Sequence, residues 1–253
     1  MTHAVWGFAL AVAIALLAYR ARALDASGAI AAVGVGTAIF ATLGFAGAAV
    51  LLAFFVPASA LTQLRRASRR GDESERRNAA QVLANGGVAA LCALGTVLAP
   101  GIFAAGFAGA FAAAAADTWG TEIGTRYGGT PVSILTFARL PTGRSGGITL
   151  MGTLASIGGA AVVAASASAV HVAPFIPIAI GGVAGALLDS VVGATLQSLR
   201  WCPICRCECE TKRHDCGAAT SLRRGVSWME NDAVNVVATL AGAAVAALAL
   251  RSP

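Results

Sequence analysis

Lysine is almost missing from this chain: Lys212 stands alone among 253 residues, and arginine supplies the rest of the positive charge. Charge of either sign is scarce, at 12% of residues, where a soluble domain carries roughly a quarter. With 57% of residues apolar, that shortage excludes an ordinary water-soluble domain and puts the chain in lipid. Aromatics reach only 6%, and the basic residues lie between apolar runs. Nucleic acid is therefore excluded as a partner. The net charge of +6 reads as membrane topology, with anionic lipids or phosphorylated substrates as a second role. A basic stretch is also missing ahead of the first apolar run, Met1 to Tyr19; Arg20 and Arg22 follow it. A cleaved leader has the opposite order, so the first span is retained with its N-terminus outside.

What is present is a series of apolar runs. A bilayer core takes about 20 apolar residues as helix. That length predicts a span near 4–19 and a hairpin of two short spans over 28–64, divided at Gly44 and Gly47. Further hairpins are predicted over 80–116, turning at Pro100-Gly101, and over 148–199, turning between His171 and Pro177, with a last span near 232–250. The reading is all-α: a single polytopic bundle of eight spans over 1–253, with a Cys-rich cytoplasmic loop at 200–230. The positive-inside rule agrees. Arg65, Arg66, Arg69, Arg70, Arg76, Arg77, Arg126, Arg139, Arg144, Arg200, Arg206, Lys212, Arg213, Arg223 and Arg224 all fall on one side with Arg20 and Arg22. Only Arg251 is opposite. The expectation is a cell (inner) membrane protein with both termini outside.

Ionisable groups inside a span are costly and mark functional candidates. Asp117 ends the alanine run 112–116; Asp189 lies a comparable distance past Pro174 and Pro177; Asp232 opens the last span. Helix rise places the three acids near one face of the bilayer. Glu122, five residues after Asp117, sits about 140° round an ideal helix, so cooperation between them predicts a backbone break near Trp119-Gly120. Paired hard carboxylates of this kind hold Mg²⁺, which holds a nucleotide's phosphates. The loop Pro141-Thr142-Gly143-Arg144-Ser145-Gly146-Gly147 feeds a helix N-terminus, where free N–H groups and the positive dipole end attract anions. It lacks the lysine of a Walker A loop. Arg126 and Arg139 add positive charge nearby. Amides recur where the chain enters the membrane: Asn78, Gln81 and Asn85 at three- and four-residue spacing, Gln197, and Asn231 with Asn235. Each amide serves equally well as helix cap or as ligand contact.

Five of the six cysteines crowd one short segment, Cys202, Cys205, Cys207, Cys209 and Cys216. In a cytosolic loop disulfides are disfavoured, whereas C-x-x-C followed by a His/Cys pair suits tetrahedral Zn²⁺. The expected ligands are Cys202, Cys205 and Cys216, with one of His214, Cys207 or Cys209 as the fourth. Such a zinc would clip the loop and do no chemistry.

Several stretches together resemble one family of integral-membrane proteins: Gln81-Val82-Leu83-Ala84-Asn85-Gly86-Gly87, Ala116-Asp117-Thr118-Trp119-Gly120-Thr121-Glu122-Ile123-Gly124, Ser145-Gly146-Gly147, Asp189-Ser190 with Gly193-Ala194-Thr195-Leu196-Gln197, and Asn231-Asp232-Ala233-Val234-Asn235. That family includes plant phytyl-phosphate kinase and animal transmembrane protein 19. The resemblance implies transfer of a nucleoside triphosphate's terminal phosphate, CTP by analogy, onto a polyprenyl monophosphate. It implies site roles for Asp117, Glu122, Asp189, Asp232 and Asn235. Arg144 departs from the family pattern, which has a small or amide residue there. The cysteine segment is similar to that of many microbial members, with Cys207 and Cys209 as extras. Two other readings fit the residues: a transporter or flippase, and a lipid-phosphate cytidylyltransferase.

Overall fold

The computed structural model describes residues 2–68 and 76–250. Arg69, Arg70 and Arg251 lie outside the described residues, as do the side chains of Arg65 and Arg66. Among the described residues seven helices form the bulk: α1 Thr2–Arg20, α2 Ala26–Ser68, α3 Ala79–Gly95, α4 Pro100–Tyr127, α5 Leu150–Ala169, α6 Phe175–Thr195 and α7 Asn231–Ala249. Two small sheets sit in the connections. Strands β1 (Val132–Ser133) and β2 (Gly147–Ile148) close the loop between α4 and α5, and β3 (Leu199–Cys202), β4 (Cys207–Cys209) and β5 (Ser221–Arg224) form an antiparallel sheet in the order β4-β3-β5.

Helix α2 is two arms, as the glycines at 44 and 47 predict. Gly44 takes φ 57°, ψ −143°, a conformation open to glycine and strained for other residues. Past it the chain folds back: Gln63 Nε2 donates to the Ala21 carbonyl at 3.3 Å. A straight helix would separate residues 26 and 63 by about 55 Å. By length and composition, Ala26–Leu64, α4, α5, α6 and α7 qualify to cross a membrane, and Val5–Arg20 and Ala79–Gly95 are shorter apolar helices.

Two boundaries differ from the sequence reading. Asp117 does not end its helix, because α4 runs on unbroken to Tyr127. Thr118–Tyr127 has only a narrow apolar row, Trp119, Ile123 and Tyr127, but it has Gly120 and Gly124, which bring α5 close: a side chain at 124 would stand 3.1 Å from the Gly152 Cα. The polar stretch stays helical by packing on α5. The hairpin expected over 148–199 ends sooner, at Thr195, since Leu199–Cys202 pairs with β4 and β5.

Helix α4 is the axis of the bundle. Ala104 through Ala116 are buried without interruption, and α4 packs against α5, α6 and α7. Lipid offers these helices no hydrophobic drive to associate, so close backbone contact between small residues supplies the packing. A Cβ on Gly242 would lie 2.6 Å from the Ala113 Cβ and 2.7 Å from the Gly109 carbonyl; one on Gly109 would meet Gly242 O and Ala246 Cβ at 2.5 Å. Phe54, Phe107 and Phe111 share the rest of the core with aliphatic side chains such as Ile39, Val163 and Ile178, and Phe54 and Phe111 stack at 5.3 Å.

Candidate functional site

Because the helices alternate in direction, the ends of α2, α4 and α6 lie with the starts of α3, α5 and α7. A cavity of about 480 Å³ opens there. Its wall takes Thr62 from α2, Gln81 and Asn85 from α3, Asp117 and Glu122 from α4, Ser156 from α5, Asp189 from α6, and Asn231 and Asn235 from α7. Three helix N-termini, each the positive end of a dipole, border one polar chamber. Arg77 and Arg144 add charge to its lining.

The carboxyls of Asp117 and Asp189 face each other within hydrogen-bonding reach. Asp189 Oδ2 is buried and has no hydrogen-bond partner among the described residues. Glu122 is 8% exposed, and its Oε1 accepts from Thr62 Oγ1 at 3.0 Å. The predicted break between Asp117 and Glu122 does not occur. Both acids line the cavity from one continuous helix, because Gly120, Thr121, Gly124 and Thr125 line it too. At about 100° per residue, that stretch presents an arc of about 200°, wide enough to carry both acids. Asp232 is the exception among the predicted acids. It lies in the first turn of α7, about 100° round from Asn231, and is not in the lining that Asn231 and Asn235 join.

The glycine loop forms the cavity's rim, with Thr142, Gly143, Arg144, Ser145, Gly146 and Gly147 all in the lining. Gly146 is required twice over. Its φ is +79°, and a Cβ there would lie 2.5 Å from the Ala194 Cβ, just before the end of α6. The loop leads through β2 to Thr149, which caps α5 by accepting from Gly152 N at 3.0 Å. Arg126 and Arg139 are not in the lining. Arg126 donates to the Leu64 carbonyl at 3.4 Å and lies over the Tyr127 ring at 5.2 Å, and Arg139 is exposed opposite Val132.

Strand β4 and the residue after it meet this rim. Arg144 Nη2 donates to Glu208 Oε2 at 2.8 Å. Glu210 accepts from Ser145 N at 3.0 Å, from Ser145 Oγ at 2.6 Å and from Gln197 Nε2 at 3.0 Å. Gln197 therefore acts through Glu210 and not as part of the lining. Sequence reasoning passed over Glu210, Arg77, Thr62 and Ser156 as site residues. No spacing rule marks them, because each reaches the chamber from a segment distant in sequence. Arg77 alone carried a signal, by directly preceding the capping box that Asn78 and Gln81 form at the start of α3.

Beyond β4 the Cys-rich loop gathers Cys202, Cys205, His214 and Cys216, with one donor atom of each within 4.8 Å of the others. The Sγ atoms of Cys202 and Cys216 are 3.6 Å apart, and His214 Nδ1 lies 3.3 Å from Cys216 Sγ. Three sulfurs and an imidazole at such spacing fit tetrahedral zinc. His214 completes the set, and Cys207 takes a supporting place 3.5 Å from the other ring nitrogen, Nε2, where it would orient the imidazole. The Cys205 amide donates to Cys202 Sγ at 3.4 Å and holds that thiol below its usual range. The Cys205 thiol is pushed up to about 12, chiefly by its hydrogen bond to the Cys216 side chain. Metal-free, the cluster crowds its thiols; a dication would favour the thiolates.

The family model described as integral membrane protein DUF92 matches residues 9–243. The chain belongs to this family. It is the family that the scattered motifs identify, and the DUF92 match extends across both the chamber and the Cys-rich loop. Among relatives, Protein PGR of Arabidopsis thaliana is 31% identical over 261 residues, covering 90% of this chain and 89% of its own. Protein VTE6, chloroplastic, from the same plant is 27% identical over 236 residues, covering 89% of this chain and 65% of its own. An uncharacterized membrane protein of Methanocaldococcus jannaschii is 28% identical over 240 residues, covering 93% and 89%. No solved structure gives a significant match. This DUF92 member is thus an integral membrane protein whose polar chamber lies at one end of its bundle.

Proposed function

We propose that this protein is a kinase that moves the terminal phosphoryl group of a nucleoside triphosphate, CTP by preference, onto a polyprenyl monophosphate such as phytyl or geranylgeranyl phosphate. One observation carries the reading: the facing acids Asp117 and Asp189, two arginines, a glycine loop and three helix N-termini share one polar chamber at one end of an apolar bundle. The resemblance to the family that includes plant phytyl-phosphate kinase supplies the substrate class.

The chemistry balances without a redox partner. An oxygen of the prenyl phosphate attacks the γ-phosphorus, the bond from that phosphorus to the bridging oxygen breaks, and the nucleoside diphosphate leaves with the electron pair. Little covalent work falls to the protein, so positioning and charge neutralisation carry the catalysis. Asp117 and Asp189 would hold Mg²⁺, and the unpartnered Asp189 Oδ2 fits a hard cation's demand for oxygen. Bound there, Mg²⁺ would neutralise phosphate charge. Arg77 and Arg144 would neutralise phosphate oxygens, and the amides Asn85, Asn231 and Asn235 would orient them. We place the chamber on the cytoplasmic side of the inner membrane, with eight crossings and both termini outside, as the one-sided arginines indicate.

Purified protein in nanodiscs, given CTP or ATP labelled at the α or at the γ phosphorus with a panel of prenyl phosphates, tests the proposal. Transfer of γ-label to lipid supports the kinase. Transfer of α-label instead would establish a cytidylyltransferase. Transfer of neither label, with lipid phosphate moved across the bilayer of sealed proteoliposomes, would establish a carrier. That last reading is disfavoured because carriers place their sites near the midplane, whereas this chamber is rimmed by the glycine loop where α3, α5 and α7 begin.

A further inference from the structure

Beside the polar chamber lies a second cavity, of about 80 Å³, between α1, the two arms of α2, and α3. Its walls are apolar, with Ala11, Ala15, Leu51, Phe54, Val82 and Phe111 among them. The two cavities meet: Arg77, Gln81 and Asn85 line both. The neck is built, since Arg77 N donates to the Ala23 carbonyl at 3.1 Å, and the Arg77 carbonyl accepts from Asp25 N at 3.1 Å. The Arg77 guanidinium lies over the Phe54 ring at 6.0 Å, so one residue spans the polar and the apolar side.

We infer that this apolar cavity seats the first carbons of the prenyl tail, with the phosphate at the neck formed by Arg77, Gln81 and Asn85. The inference rests on the kinase reading for its substrate class and adds which helices take the tail and from which side the acceptor enters. The chemistry of the walls selects this occupant. A ligand crossing the neck meets a cation and two amides and then only hydrocarbon, the order of groups in a lipid monophosphate. A nucleotide has polar groups at both ends and would leave them unpaired in the apolar side. An apolar cavity of about 150 Å³ accepts a benzene-sized group; the present one, smaller and not sealed, takes a few carbons and lets the chain continue between helices. Small residues keep it open. A Cβ on Gly36 would lie 3.1 Å from the Ala11 Cβ, and one on Gly86 3.3 Å from Val35 Cγ1.

The test uses the full chain in nanodiscs with a prenyl monophosphate that carries a diazirine in its first isoprene units. Adducts are mapped by mass spectrometry, which requires no turnover. Adducts are expected at 11–18 and 51–55, competed by unmodified prenyl phosphate. Ala32→Leu, which fills the cavity (Ala32 lines it), should weaken labelling and raise KM for prenyl phosphate at least about tenfold relative to KM for the nucleotide, since a single methylene in an apolar pocket is worth about 10–200-fold. Leu51→Ala, which enlarges it, should shift preference toward tails bulkier near the phosphate and guards against misfolding of the filled variant. Adducts here without any phosphoryl transfer would uphold the tail site and refute the kinase reading. Transfer with adducts elsewhere, and with KM ratios unmoved in both variants, would refute the tail site and leave the kinase standing. No adducts and no transfer would refute both.

Discussion

Replacing Asp189 by asparagine should separate catalysis from packing, because the two demand opposite outcomes. In the chamber its carboxyl faces that of Asp117, and Oδ2 has no hydrogen-bond partner among the described residues. Two carboxylates crowded this closely repel unless a cation or a shared proton lies between them. Asparagine keeps the shape, removes one of those charges and supplies an N–H that Asp117 accepts. The thermal unfolding midpoint in detergent should therefore hold steady or rise. Catalysis should fall: loss of a metal-holding acid at a phosphoryl-transfer site is worth about 2.7 kcal/mol or more, roughly a hundredfold in rate. The assay pairs γ-label transfer across a magnesium titration with tryptophan fluorescence during heating. A rate within about threefold of wild type at every magnesium concentration, for both Asp189→Asn and Asp117→Asn, would refute the reasoning and make the acids helix glue. A fall in rate that tracks a fall in the midpoint would refute it too, since the role would then be structural.

Glu210→Ala removes the carboxylate that takes both Ser145 donors; at about 1.5–3 kcal/mol for a charge-assisted hydrogen bond, amide hydrogen exchange across 141–147 should speed up at least about tenfold. Unchanged exchange would show that the rim holds itself. Purified protein should contain one zinc per chain, and Cys202→Ser should lose it and raise exchange at Ser145, because the Cys-rich loop and Glu210 belong to one segment. Gly242→Leu should lower the unfolding midpoint, as overpacking costs about 1–3 kcal/mol or more where a backbone carbonyl stands 2.7 Å from the new carbon; an unmoved midpoint would mean α4 and α7 separate freely. Single cysteines introduced at 139 and 223 should resist membrane-impermeant label added from outside, and labelling of both would overturn the cytoplasmic placement.

Composition and local pattern dictate what must be buried in lipid and where the chain turns. Scarcity of charge decided the solvent, and long apolar runs decided the helices. Gly44 marked the fold-back of α2, and C-x-x-C with His214 and Cys216 marked the donor cluster, because these depend on local backbone freedom and local spacing. The convergence of Asp117 and Asp189 was legible as shared depth because helix rise is fixed. Rotation was not. Whether Asp232 or Asn235 faces the chamber depends on how α7 turns against α4 and α6, which the contacts among Gly109, Ala113, Gly181 and Gly242 set through packing distances. The arc of α4 that holds both Asp117 and Glu122 was likewise decided by tertiary structure, since a cavity wide enough to span about 200° of helix exists only once α2, α5 and α6 have closed round it. So was Glu210's place on the glycine loop, which joins positions 145 and 210 across a whole hairpin. Helix pitch and residue chemistry act along the chain and can be read from it. The rotation of one helix against another follows from which small residues let two backbones touch, and that is settled only when every helix is packed.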